Sequence, residues 1–208
     1  MTTIPTIQSY VVQNEARFLD ELFSLIRIPS ISAEPAHHDD MLRCAKRWQE
    51  LLVAAGADHA EVMPSEGNPL VYAEKHVSDA APTVLVYGHY DVMPVDPLDL
   101  WHSNPFEPEV RDGRIWARGA DDDKGQSFIQ VKALEYLVRH GLLKHNVKFI
   151  LEGEEEIGSP SLGSFLKQHH DLLQCDVGER YLDACGRFAI AHHRTTWAGL
   201  LADRGDRA

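Results

Sequence analysis

The sequence predicts an α/β fold in which a mixed, mostly parallel sheet is flanked by helices. Segments with apolar residues at helical spacing alternate along the chain with short apolar runs. Two of these runs, TVLVYGH at 83–89 and NVKFILEG at 146–153, are almost continuously apolar, as is typical of strands covered by helices on both faces. The length of 208 residues suits one domain of good size.

Two helices are predicted before the first strand. Residues 7–27 carry apolar side chains at helical spacing, and Pro29 ends this helix because proline resists the α conformation. A second helix begins at a cap formed by Asp39 or Asp40 and ends at Gly56. Its buried face is predicted to consist of Met41, Cys44, Ala45, Trp48, Leu51 and Leu52.

Short strands and two further helices complete the predicted order. The short strands are expected at 60–63, 70–74 and within 113–119. Residues 124–140 and 160–169 have the apolar spacing of helices. The inward face of the longer one is predicted to consist of Ile129, Ala133, Tyr136 and Leu137.

The composition narrows the classes of function. The chain has 20 Lys and Arg against 32 Asp and Glu, a formal net charge of −12, which disfavours binding to nucleic acid or to an anionic membrane. No apolar run approaches the roughly 20 residues of a membrane span. No basic residue precedes Arg17, so no signal peptide is expected, and three cysteines are too few for a disulfide framework. We therefore expect a cytoplasmic enzyme.

Three clusters of His, Asp and Glu each follow a predicted strand, at the sheet edge where α/β proteins bind ligands. In the first, GHYD at 88–91, His89 can bind a metal through one ring nitrogen. Asp91 points to the same side of an extended chain and can take the other ring N–H, as the partners of metal-bound histidines do. A capped loop histidine is the alternative for this cluster taken alone.

The second and third clusters are runs of carboxylates. RGADDDKG at 118–125 has three consecutive aspartates at a helix start, which is compatible with a helix cap or with a bound cation. EGEEEIGS at 152–159 places four glutamates beside a very apolar strand, where unpaired charges are costly to bury. Imidazole and carboxylate donors without thiolate are typical of catalytic zinc, with manganese or cobalt as alternatives.

With these phrases the sequence resembles the co-catalytic zinc peptidase family that includes carnosinase-type dipeptidases, glutamate carboxypeptidase, aminoacylase, acetylornithine deacetylase and succinyl-diaminopimelate desuccinylase. The matching phrases, in family order, are LIRIPSIS, VLVYGHYDVMPV, WHSNPFEP, DGRIWARGADDDKG and LEGEEEIGS. Their wording is most similar to the dipeptidase branch. The resemblance implies a zinc-peptidase or phosphorylase-hydrolase-like catalytic domain, incomplete at its C-terminus, and peptide hydrolysis by a metal-activated water.

The resemblance also implies a role for individual residues. His89, Asp122 and Glu156 match metal ligands, and Asp122 matches the aspartate that bridges two divalent ions. Zinc is the metal that the resemblance implies. Asp91 matches the hydrogen-bonding partner of the histidine, and Glu155 the general base. No ligand role falls on Asp121, Asp123, Glu152 and Glu154.

Beyond residue 177 the sequence departs from the family. Asp183 is near the position of a further acidic ligand but in the wrong context, and we expect His192 and His193 to be surface residues rather than ligands. We expect the dimerisation domain of the family to be absent, and residues 1–177 to be the N-terminal part of the catalytic domain. Residues 178–208 are expected to be an atypical tail, and a shifted reading frame is our hypothesis for its origin.

These expectations leave three functions open. The first is a dipeptidase or carboxypeptidase acting on small peptides, whose full-length parent is a homodimer, while this chain is truncated and weakly active or inactive. The second is an N-acyl amino acid amidohydrolase, a deacylase or desuccinylase with the same ligands. The third is a non-catalytic metal-binding fragment.

Overall fold

The computed structural model of the protein describes residues 5–180 and 190–192. Four α-helices lie in this part of the chain: α1 (Ile7–Ile26), α2 (His38–Ala54), α3 (Lys124–Arg139) and α4 (Leu162–Gln168). The strands are β1 (His59–Met63), β2 (Leu70–Lys75), β3 (Thr83–His89), β4 (Glu109–Arg111), β5 (Arg114–Trp116), β6 (Asn146–Glu152), β7 (Val177–Arg180) and β8 (Ile190–His192). None of these helices is both long and apolar enough to span a membrane.

The predicted mixed sheet flanked by helices is confirmed. Six of the described strands form one sheet in the order β1-β2-β6-β3-β7-β8. The centre is parallel, with β3 between β6 and β7, while β1, β2 and β8 pair antiparallel towards the edges. Because β3 and β6 are parallel and in register from Thr83 opposite Asn146 to His89 opposite Glu152, both strands end at one edge. Two of the acidic clusters therefore start side by side.

Apolar cores lie on both faces of the sheet. On one face α1, α2 and α3 cover the strands, and the predicted buried face of α2 is confirmed, with Trp48 and Leu52 fully buried. On the other face α4 packs Leu162, Phe165 and Leu166 against Tyr72, Leu85 and Ile150. The two cores fix the position of β3 and β6 and thus the position of their ends.

The cap predicted for α2 is wrong. The helix begins at His38, one residue after an N-cap at His37 that makes no side-chain cap bond, so Asp39 and Asp40 lie in the first turn. The carboxylate of Asp40 instead contacts His37 Nδ1 at 2.7 Å and pairs with Arg43. Acidic residues in a first turn still interact favourably with the helix dipole.

The inward face predicted for α3 is wrong at two of its four residues, Ile129 and Ala133, whereas Tyr136 and Leu137 are partly buried. Phe128, Val131 and Leu134 are buried, whereas Ile129 is 66% exposed and Ala133 is exposed. The buried residues of α3 include three charged ones, Lys124, Lys132 and Glu135, and apolar periodicity alone cannot assign charged residues to a core.

Glu135 is the centre of an ion-pair network between α1 and α3. Its carboxylate accepts from Tyr10 Oη at 2.8 Å, Arg17 Nη2 at 2.6 Å and Lys132 Nζ at 2.8 Å. Burial alone would raise the pKa of Glu135, but the hydrogen bonds from these groups outweigh it and lower the pKa to about 2 from 4.5. The network therefore stabilises the fold while Glu135 is ionised.

We expect Glu135→Gln to lower the free energy of unfolding by about 2 kcal/mol at neutral pH. This is less than a fully buried pair would lose, since Arg17 is partly exposed. The folded pKa is depressed, so this stabilisation is complete above pH 4.5 and is lost as the pH falls towards 2. Urea unfolding of both proteins between pH 7 and pH 2.5 measures it, and a difference that stays constant on acidification would contradict the assignment.

Candidate active site

His89 lies at the end of β3 with both ring nitrogens facing acidic groups. Nδ1 is 3.2 Å from the carbonyl oxygen of Asp91 and 3.3 Å from its Oδ1, and Nε2 is 3.1 Å from Asp122 Oδ1. Burial alone would lower the pKa of His89, but hydrogen bonds with Asp122 and Asp91 outweigh it and raise the pKa to about 11. This pocket thus attracts a positive charge, and a metal bound at Nε2 would have to displace a proton.

Asp91 joins the first cluster to the third. Its side chain is fully buried, and Oδ1 accepts from the backbone N–H of Glu155 at 3.2 Å. Oδ2 accepts from the backbone N–H of Glu156 at 3.1 Å and from the Ser32 hydroxyl at 2.6 Å. One carboxylate therefore holds both the imidazole of His89 and the backbone of the two glutamates.

The three consecutive aspartates have three different environments. Asp121 is exposed, and Asp122 is 70% exposed at its side chain with Oδ1 directed at His89. Asp123 is buried and accepts from His89 N–H at 3.0 Å and Ser127 Oγ at 2.7 Å, and burial raises its pKa to about 6. The peptide bond between Asp122 and Asp123 is cis. Asp122 therefore belongs to the site, whereas Asp123 has a structural role.

Gly88 permits this close approach of β3 to the start of α3. A Cβ at Gly88 would lie 2.1 Å from Ser127 Oγ and 2.8 Å from Asp123 Oδ2. Only a residue without a side chain leaves room for Asp123 to accept from the backbone of His89.

The glutamate cluster divides in the same way. Glu155 and Glu156 are half-buried in a 3₁₀ turn after β6 that ends at Gly158 with a left-handed φ of 89°. Burial, followed by the negative charge of Asp122, raises the pKa of Glu156. Glu152 is buried, accepts from the hydroxyls of Tyr87 and Ser159, and has its pKa raised to about 7 by burial.

Sequence reasoning missed two residues that support the site. Ser32 holds Asp91, as described above, and the LIRIPSIS phrase is the only signal for it. Lys124 is fully buried, and its Nζ donates to the carbonyl oxygens of Leu25 at 3.0 Å and Ile28 at 2.7 Å. It thereby ties the start of α3 to the end of α1, and burial lowers its pKa.

The donor types of this site fit a zinc-like cation. His89 Nε2 and Asp122 Oδ1 converge, and the charge of Glu156 interacts with both residues. Within residues 5–180 and 190–192, however, no group of three or more His, Cys, Asp or Glu side chains is arranged to hold a metal ion. The described residues thus supply a partial ligand set. Asp183 and His193 lie outside the described residues, and only the backbone of His192, in β8, is described.

Comparisons with known proteins agree on one family. The sequence profile of peptidase family M20/M25/M40 matches residues 85–192. The Beta-Ala-His dipeptidase of Rattus norvegicus is 38% identical over 182 residues, which span 81% of this chain and 37% of that protein. The succinyl-diaminopimelate desuccinylase of Acinetobacter baylyi is 33% identical over 174 residues, spanning 80% of this chain and 43% of that protein.

A solved structure has the same architecture. The M20 family metallo-carboxypeptidase Sso-CP2 from Sulfolobus solfataricus superposes with a TM-score of 0.73 at 36% identity, covering 82% of this chain and 39% of that one. The chain spans less than half the length of each of these proteins. Since the family profile matches more than half of its residues, the chain belongs to peptidase family M20/M25/M40.

Proposed function

We propose that the chain supplies the N-terminal part of the active site of a metal-dependent peptidase that cleaves dipeptides or short peptides. The observation that carries this proposal is the linkage through Asp91, whose one carboxylate contacts His89 and the backbone of Glu155 and Glu156. The likeness to a dipeptidase and to a metallo-carboxypeptidase supports the same reaction class.

In this proposal His89, Asp122 and Glu156 would hold two divalent metal ions, and Asp122 would be a ligand of both. Zinc suits the imidazole and carboxylate donors, and manganese and cobalt suit them as alternatives. When bound, such ions lower the pKa of a water molecule and polarise the scissile carbonyl.

The residues of the chain have distinct tasks. Glu155 accepts a proton from the attacking water and delivers it to the leaving amine, as a general base and then a general acid. Asp91 orients the His89 ring through Nδ1, leaving Nε2 free for the metal. The same carboxylate accepts from the backbone N–H of Glu155. Asp91 therefore holds the general base and the imidazole at a fixed distance from each other.

The proposal has consequences for the whole protein. We assign residues 1–177 to the catalytic domain and 178–208 to an atypical tail, although the family match extends to residue 192 and β7 and β8 belong to the sheet. The full-length protein is proposed to be a homodimer, and the 208-residue chain alone to be weakly active or inactive. We propose a cytoplasmic location. Cys44 and Cys175 are free thiols within residues 5–180, and reducing compartments favour free cysteines.

The desuccinylase relative favours a second candidate, an N-acyl amino acid amidohydrolase. We expect a full-length protein containing this segment to hydrolyse unsubstituted dipeptides faster than N-succinyl or N-acetyl amino acids. A chelator should remove this activity and zinc or manganese should restore it. Faster cleavage of the N-acyl substrates would establish the second candidate, and hydrolysis of neither class would favour a non-catalytic metal-binding protein.

A further inference from the structure

We propose that Glu154 is a positioning residue that holds the loop of Glu155 and Glu156 in place through backbone contacts on both sides of it. The expected effect of Glu154 on metal binding and catalysis rests on the proposed function. The contacts themselves do not depend on a metal.

The carboxylate of Glu154 connects two segments that are distant in sequence. Its Oε1 accepts from the backbone N–H of Asn68, in the turn between β1 and β2, at 2.9 Å. Its Oε2 accepts from the backbone N–H of Ser161, the N-cap of α4, at 3.1 Å. Glu154 is only 6% exposed. The two N–H groups therefore supply the hydrogen bonds that its carboxylate loses when it is removed from water.

The backbone around Glu154 strengthens the same connection. The Glu154 carbonyl accepts from the N–H groups of Ile157 at 3.2 Å and Ser159 at 2.7 Å, which closes the turn containing Glu155 and Glu156. The Asn68 side chain donates from Nδ2 to the Gly153 carbonyl at 3.1 Å. The turn is therefore held by Glu154 and Asn68 on one side and by Asp91 on the other.

The position of Gly67 is an independent indication that the β1–β2 turn packs directly against the Glu154 carboxylate. A Cβ at Gly67 would lie 1.8 Å from Glu154 Oε1 and 2.9 Å from Ser161 Oγ. Any side chain at position 67 would displace the carboxylate of Glu154. The β1–β2 turn thus approaches Glu154 as closely as a glycine allows.

A positioning role and a merely structural role predict different effects of substituting Glu154. Glu154→Gln replaces one accepting oxygen by an NH₂ group that faces a backbone N–H, so one of the two contacts is lost. The turn should then open locally, moving Glu155 and Glu156 relative to His89. A merely structural residue would lower the global stability and leave the folded site unchanged.

The test measures amide hydrogen exchange and zinc binding of the 208-residue chain under conditions where all variants are folded. In Glu154→Gln, exchange at the amides of Glu155 and Glu156 should be about tenfold faster. Zinc affinity should fall by about tenfold, as for other residues that orient ligands. Gly67→Ala should produce both effects without changing the glutamate cluster, and it decides the question if Glu154→Gln does not fold.

Two controls separate positioning from general destabilisation. Gly163→Ala adds a Cβ that meets no atom within 4 Å and should change neither quantity. Leu166→Ala removes a buried side chain of α4 and should lower stability while leaving zinc affinity unchanged. Unchanged exchange at Glu155 and Glu156 in both Glu154→Gln and Gly67→Ala would overturn the proposal. Failure of the proposed function would instead be seen as absence of zinc binding by the unmodified chain, with the exchange result still deciding the role of Glu154.

Discussion

Replacing Glu155 by glutamine is expected to lower peptide hydrolysis by the full-length protein by about 10² to 10⁴-fold, the range for loss of a general base. Glutamine preserves the size of the side chain but cannot accept the proton of the attacking water. The Glu155 backbone N–H, which donates to Asp91, is unaffected by this change. The turn and the metal content should therefore be preserved, and kcat should fall while metal per protein stays constant.

A matched control distinguishes this result from a general loss of charge. Glu107 is exposed, and Glu107→Gln should leave kcat unchanged. Normal hydrolysis by the Glu155→Gln protein would refute the assignment of Glu155 as the base. Loss of metal together with activity would instead place Glu155 among the ligands.

Asp91→Asn is expected to weaken zinc binding by about 10 to 100-fold, the cost typical of losing a partner that orients a metal-bound histidine. The carboxylate of Asp91 has the Ser32 hydroxyl and two backbone N–H groups as donors, whereas an amide offers one accepting oxygen. A buried N–H without an acceptor should also lower the free energy of unfolding by about 1–3 kcal/mol.

The control for Asp91→Asn is the same substitution at Asp121, which is exposed in the second cluster. Asp121→Asn should bind zinc like the unmodified chain and unfold at the same urea concentration. Equal zinc affinity for Asp91→Asn and Asp121→Asn would show that Asp91 does not support the site.

The elements with simple periodicity could be predicted from the sequence. β3 covers the predicted residues 83–89, and the apolar face of α2 consists of the predicted residues. The convergence of the first and third acidic clusters was also predictable, because β3 and β6 are parallel and end at the same edge of the sheet. The second cluster follows β5, which pairs with β4 in a separate two-stranded sheet, so its position did not follow from that rule. The register of β3 and β6, which brings His89 opposite Glu152, shows this convergence directly.

The remaining features depend on contacts that periodicity does not encode. The face of α3 was wrong at Ile129 and Ala133, and the buried pair Lys132 and Glu135 was missed. Arg17, which binds the Glu135 carboxylate, is 118 residues away in the sequence. Within the acidic clusters, the sequence did not show which carboxylates are buried and hydrogen-bonded to the backbone and which are accessible to a ligand. Asp123 and Glu154 are buried because backbone N–H groups from distant segments bind them, and the local sequence contains no sign of those donors.

The most direct test of the central claim is the zinc affinity of the unmodified chain, measured by calorimetric titration beside the variants above. We expect saturable zinc binding with release of a proton, and weaker binding by the Asp122→Asn protein, because Asp122 Oδ1 faces His89 Nε2. Absence of saturable binding, or equal binding by the Asp122→Asn protein, would show that His89 and Asp122 do not form a metal site.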